Sequence, residues 1–244
     1  MKRFALVFKS SIGKKFIAAI TGLILFGFLI GHMAGNLKVF TGSTEAGVPH
    51  IDEYGHALRE LGSPFVPREF VLWGARTVLL VSLVFHIVVV IQLARQSAAA
   101  RPLPYVRNRQ RAASLPARWM MYSGMLILAF VIFHILHFTT GTIKLGTFEH
   151  GYIYSNLHSS FSKLPVAAIY IAMMIALGFH MFHGVWSLFQ TLGLDNPDRN
   201  RALRWFAISA TLVIALGFVM VPVSFVLGIM PDPVEYAVQL LNEK

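Results

Sequence analysis

Cysteine is absent from all 244 residues. Its absence excludes disulfides, iron–sulfur clusters, thiolate zinc sites and covalently attached c-type haem, and leaves histidine as the strongest available ligand for a transition metal or haem iron. Charge is scarce as well: 13% of residues are Asp, Glu, Lys or Arg, where a soluble domain averages about a quarter. With 56% apolar residues and a mean hydropathy of +0.63, the chain reads as one whose main solvent is lipid. The net charge of +10 would suit nucleic acid. The basic residues, however, sit in short stretches beside long apolar runs, and no stacking or groove-reading module accompanies them, so no nucleic-acid partner is expected.

Five segments are long and apolar enough to cross the hydrocarbon, at about 16–38, 71–93, 119–141, 164–191 and 205–230. The expected fold class is therefore an all-α integral membrane bundle of five helices, with residues 1–244 as one membrane domain and no internal repeat. Three stretches hold fourteen of the 21 Lys and Arg: residues 1–15 (Lys2, Arg3, Lys9, Lys14, Lys15), the Arg95 to Arg118 connector, and Arg199, Arg201 and Arg204. The positive-inside rule puts these in the cytoplasm. The alternate segments carry nine of the 11 acidic residues and belong outside. The amino terminus is thus expected inside and the carboxyl terminus outside. After Pro231, Val234, Val238 and Leu241 recur at helical spacing and suit a short interfacial helix.

Six of the ten histidines fall within these spans: His32 in the first, His86 in the second, His134 and His137 in the third, His180 and His183 in the fourth. Ionisable side chains in hydrocarbon are costly and usually mark function. At 1.5 Å per residue, His32 and His134 lie about 6–8 Å to the outer side of their helix midpoints. His86, His180 and His183 lie about 4–9 Å to the inner side. Two cross-helix pairs, stacked along the membrane normal and about 14 Å apart, are what two bis-histidine b haems need. A proton relay or di-metal transporter would normally recruit carboxylates too, and no Asp or Glu lies within a span.

Gly27, Gly31 and Gly35 recur beside His32, and Gly178 and Gly184 bracket the fourth-span histidines. Such residues either make room for a macrocycle or let helices pack closely. Arg76, in the outer third of the second span, is either a partner for a haem propionate or a side chain that snorkels to the surface.

Several runs carry a resemblance that covers nearly the whole chain. They are Ser10-Ser-Ile-Gly-Lys-Lys-Phe with Ala19-Ile-Thr-Gly-Leu, then Gly31-His-Met-Ala-Gly-Asn-Leu, and Tyr54-Gly-His-Ala-Leu-Arg. Further on come Phe133-His-Ile-Leu-His-Phe and the most specific run, His180-Met-Phe-His-Gly-Val-Trp-Ser-Leu-Phe-Gln-Thr-Leu-Gly. The chain resembles the di-haem cytochrome b558 membrane anchor of succinate dehydrogenases and fumarate reductases, in its single-polypeptide, five-helix form. The resemblance implies two b haems, a distal one held by His32 and His134 and a proximal one held by His86 and His183. It favours His134 as the member ten residues after Gly124, and His183 as the member followed by Gly184. His137 and His180 become candidates for a hydrogen bond to a propionate, a carbonyl or quinone. Depth alone fits His180 to His86 about as well.

The resemblance further implies a flavoprotein subunit and an iron–sulfur subunit docked on the cytoplasmic face of a bacterial inner membrane, exchanging electrons with a membrane quinone, expected to be menaquinone. Dicarboxylate chemistry would lie on those partners. Ser10 to Lys15 and Arg95 to Arg118 are the expected docking segments, with anionic membrane lipid as the competing partner. An outer quinone site could draw on Arg76, Glu149, His150, Tyr154 or His158. The alternatives are a di-haem anchor of another respiratory dehydrogenase, and a haem-free histidine-dependent transporter.

Overall fold

The structure is a computed structural model that describes residues 10–100 and 115–233. The described residues are helical, with no strand beyond an isolated bridge between Ser43 and Pro49. Helix α1 covers Ser11–Asn36 and continues as a short 3-10 turn, Leu37–Phe40. There follow α2 (His50–Glu60), α3 (Phe70–Ala99), α4 (Leu115–His134), α5 (Ile153–Phe161), α6 (Leu164–Thr191) and α7 (Asn200–Val226). Five of these are long and apolar enough to span a membrane: α1, α3, α4, α6 and α7. Helix α6 has the bounds expected of it, α1, α3 and α7 start one to five residues before theirs and α3 runs six residues on, while α7 stops at Val226, four residues short of the expected 230.

Local chemistry sets the ends. Ser10 caps α1, its hydroxyl accepting from the Gly13 amide at 2.9 Å. Proline near the start of α6 costs nothing, since the first amides of a helix have no internal acceptor. Pro222 lies inside α7, where it forfeits one helical bond. Helix α4 ends in a π-type turn, Ile135–Thr139, one residue wider per turn than an α-helix.

Packing divides the spans into two pairs, α3 lying along α1 and α4 along α6, while α7 packs against α6 and α1. The approach of α7 to α1 is close: a Cβ at Gly217 would run into the Met33 thioether. The outward surfaces are apolar, with Leu80, Val84, Leu212, Val213 and Leu216 all exposed, as lipid-facing helices require. One end of the bundle is roofed by α2 and α5. There the core is densest, with Tyr154, Leu157, Phe161, Tyr170, Val221 and Phe225 buried together. Most of the Lys2 to Lys15 stretch, the Arg101 to Arg111 part of the basic connector and the expected Val234 to Leu241 helix lie outside the described residues.

Candidate functional site

The spans bring the histidines together from different helices. His32 of α1 and His134 of α4 meet near the roofed end, ring centroids 5.8 Å apart and planes at 81°. Phe28 stacks on His32 at 5.2 Å, and Phe218 of α7 closes a further side at 5.6 Å. His134 is wedged among Phe130, Phe138 and Tyr170. Its Nδ1 is buried with no hydrogen-bond partner. A buried nitrogen left unpaired is expensive, and the two aromatic-lined imidazoles together form a donor pair that fits a ligand held between them.

His137 is different. Its Nδ1 lies 2.8 Å from the Tyr170 hydroxyl and its Nε2 3.1 Å from the Ser160 hydroxyl. Both nitrogens are engaged and the ring is buried, so His137 has no lone pair to offer a metal. The π-type turn is what separates the roles: the extra residue turns His137 toward α5 and α6 while His134 faces α1.

Away from the roof, His86 and His180 each begin sixteen residues after the first residue of their helix. Their surroundings match as well. His86 Nδ1 lies 3.2 Å from the Ala18 carbonyl and 3.2 Å from the Thr21 hydroxyl. His180 Nδ1 lies 3.3 Å from the Ser123 hydroxyl, and the ring also hydrogen-bonds the Met120 carbonyl. In both cases a glycine follows the hydroxyl residue: Gly22 faces His86 Cε1 and Gly124 faces His180 Cε1. A carbonyl can only accept, so Nδ1 of His86 carries the proton, and the neutral ring keeps its Nε2 lone pair free. Among the described residues no protein group bonds that Nε2. His183, three residues further along α6, has no hydrogen bond and no such seat among the described residues, and Gly184 beside it faces open space.

The expectation of no internal repeat is amended here. Thr21-Gly22 precedes His32 as Ser123-Gly124 precedes His134, glycine and histidine ten residues apart in both. Helices α1 and α3 thus repeat in α4 and α6 as hydroxyl, glycine and histidine on one helix, with a second histidine seated against it from the neighbour. The signal was in the sequence, but a two-residue step is too short to stand out without the contact that gives it meaning.

The small-residue stripe of α1 splits. Gly35 receives the Tyr54 ring, which a Cβ would strike, whereas Gly27 and Gly31 face open space on the side shared with exposed Leu23 and Ile24. Gly178 makes ordinary contact with Thr211 and Ala215 of α7. Arg76 lies over the Trp73 ring at 4.8 Å, on an exposed aromatic at the start of α3, and nothing joins it to His32 or His134 among the described contacts.

The roofed end also holds a cleft of about 710 Å³ lined by Thr44, Asp52, Glu53, His56, Tyr152, Tyr154 and Ser155, with Val48, Pro49 and Pro233 as apolar wall. Of the residues considered for quinone, only Tyr154 reaches it, and its hydroxyl is already donated to the Pro231 carbonyl at 2.9 Å. Glu149 exchanges backbone bonds with the Asn156 amide group, His150 packs on Phe148, and His158 lies 3.9 Å from Asp232. Sequence reasoning missed Asp52, Glu53 and His56. Their signal was the i, i+4 placement of Asp52 and His56, beside and within the Tyr54 to Arg59 run. Ring contacts link the cleft to His134 through Tyr154, Phe225, Phe161 and Phe138.

Among the described residues no group of three or more His, Cys, Asp or Glu is arranged to hold a metal ion directly. His32 and His134 meet from helices of different pairs, and two such imidazoles fit a haem iron better than a bare cation, which takes more protein ligands. Fold and site together define a polytopic helical membrane protein with histidines from different helices brought together inside the bundle. Residues 104–216 match the family model described as the succinate dehydrogenase/fumarate reductase transmembrane subunit, and over that stretch the chain is similar to this family. The matched stretch includes His134, His137, His180 and His183. Comparison with curated proteins and with solved structures found no match.

Proposed function

We propose that this chain is the membrane-anchor cytochrome b subunit of a succinate:quinone oxidoreductase, binding two b haems. The observation that carries the reading is the meeting of His32 and His134 at 5.8 Å, near the spacing of about 6 Å that two imidazoles at ~2.0–2.1 Å from one metal would have. His32 and His134 would hold the distal haem. For the proximal haem the matching seats support His86 with His180, in place of the His183 that the motif resemblance favoured. Bound there, haem would supply one-electron carriers between a cytoplasmic iron–sulfur and flavoprotein pair and membrane quinone.

The chain's own residues supply everything around those carriers. The Ala18 and Met120 carbonyls hold the proximal imidazoles in the tautomer that presents Nε2. Aromatic side chains from α1, α4, α6 and α7 keep water from the distal pair. At the roofed end, taken as the outer face from the distribution of Lys and Arg, the cleft is of ligand size and would take the quinone headgroup. His56, Ser155 and Thr44 offer hydrogen-bond donors to its carbonyls, while Asp52 and Glu53 can exchange protons with bulk water. Arg95, Arg118, Arg199, Arg201 and Arg204 at the opposite end would face the partner subunits and anionic lipid. The membrane is proposed to be a bacterial inner membrane.

The test is a reduced-minus-oxidised optical spectrum of the purified chain with a pyridine haemochrome count. Two b haems per chain are expected, falling to one in each of H32A, H134A, H86A and H180A, and remaining two in H183A and H137A. Haem absent from membranes and from the purified chain alike would overturn the reading and favour a haem-free histidine-dependent transporter. One haem in H183A and two in H180A would return the proximal ligand to His183.

A further inference from the structure

The two proximal seats contain more than a carbonyl. Thr21 Oγ1 donates to the Ile17 carbonyl at 2.8 Å, so its lone pairs are turned toward His86 Nδ1–H at 3.2 Å. Ser123 Oγ donates to the Met120 carbonyl at 3.1 Å and faces His180 Nδ1 at 3.3 Å. Each imidazole therefore has a second acceptor, polarised by the carbonyl that its own hydroxyl proton occupies. Gly22 and Gly124 leave the rings this approach: a Cβ at Gly22 would lie a tight 3.3 Å from His86 Cε1, and one at Gly124 would fill the ordinary contact distance of 3.5 Å to His180 Cε1. Thr21 and Ser123 are buried, so water cannot substitute for the lost acceptor. Among the described residues the distal pair has nothing equivalent: His134 Nδ1 has no hydrogen-bond partner there, and no hydrogen bond reaches the His32 ring.

We propose that Thr21 and Ser123 are positioning residues that set the proximal haem apart from the distal one, by strengthening the acceptor side of both proximal imidazoles and so favouring ferric over ferrous iron at that haem alone. The inference rests on His86 and His180 being the proximal ligands. Its physical basis is that hydrogen bonding at Nδ1 gives an imidazole anionic character, and outer-shell partners of a metal ligand are commonly worth ten- to a hundredfold. Two matched hydroxyls acting through one iron are expected to change the ferric-to-ferrous preference about tenfold, which for one electron is ~59 mV.

The experiment is a redox titration of the purified haem-loaded chain, followed optically and by low-spin electron paramagnetic resonance, for T21V, S123A, the double variant and the conservative pair T21S and S123T. Thr21→Val keeps the shape of the side chain, and Ser123→Ala adds no bulk. Expected is an upward shift of one midpoint, about threefold in equilibrium constant per single variant and tenfold in the double, with the other haem unmoved and T21S and S123T near the parent value. The shifted haem should be the one lost in H86A. An unshifted pair of midpoints, an equal shift of both, or a downward shift overturns the proposal. If T21V fails to load haem, S123A alone reads the same prediction. Should H180A retain both haems, the ligand reading fails first, and S123A would then leave both midpoints where they were.

Discussion

Asp52 accepts a hydrogen bond from the Tyr154 amide at 2.8 Å, joining α2 to the first turn of α5 across 102 residues of chain. The carboxylate caps a helix that has no cap of its own, since Tyr152 offers no side-chain bond there. Burial pushes the Asp52 carboxyl above its ordinary range, outweighing the amides of Tyr154 and Ile153 that pull it down.

The sign of the pH effect follows. A carboxyl whose folded value is raised contributes stability that is complete below the ordinary carboxylate value and is lost as pH rises through the raised value. Amide hydrogen exchange across Ile153–Phe161, corrected for the intrinsic rate, should therefore show protection falling as pH climbs out of the carboxylate range. D52N should flatten that dependence, and D52A should lower protection by about 1 kcal/mol at every pH. A D52N profile as steep as the parent's would remove Asp52 as the cause.

The His137 network predicts a stability phenotype without a cofactor phenotype. Tyr170→Phe leaves the buried His137 Nδ1 without its 2.8 Å partner, at a cost of about 1–3 kcal/mol. The thermal inactivation half-life in detergent should shorten, while the haem count stays at that of the parent. Loss of a haem in Y170F would mean that the network supports the distal pair directly.

Gly35 and Gly31, one turn apart on α1, should respond oppositely to one added methyl group. At Gly35 the methyl meets the Tyr54 ring, so G35A is expected to lower thermostability through displacement of α2, and at Gly31 it meets open space, so G31A should be within ~0.5 kcal/mol of the parent. Scanning fluorimetry of the two variants in the same detergent compares them. Equal destabilisation would mean that the Gly31 side is covered in the membrane.

The cleft predicts kinetics that separate it from the histidine pairs. In the assembled complex, His56→Ala removes one donor from the cleft wall and should raise the quinone KM about tenfold, the value of one hydrogen bond of ~1.4 kcal/mol, with both haems retained. E53Q keeps the shape of the side chain and removes its carboxylate, and should slow quinone turnover with both haems retained. Unchanged quinone kinetics in both variants would move the headgroup elsewhere.

The number of spans, their helical nature and the pairing of His32 with a third-span histidine all follow from one-dimensional information. Hydrocarbon thickness converts directly into residue count, and helical rise converts residue number into depth, so apolar run length and histidine position suffice. Choosing among neighbours on one helix is another matter. His134 and His137, or His180 and His183, differ by less than one turn in depth, and their roles depend on rotation and on what faces them. The π-type turn after His134 and the Thr21 and Ser123 hydroxyls opposite His86 and His180 supply that information, and neither is encoded in hydropathy.

The roof has the same explanation. Asp52, His56, Tyr152 and Ser155 come from segments about a hundred residues apart, and no spacing rule relates them. Depth and charge asymmetry are sums over single residues and survive in the chain as written. Contact between α2 and α5 is a property of pairs, which exists once α1, α3, α6 and α7 have packed and carried the two short helices to the same end of the bundle.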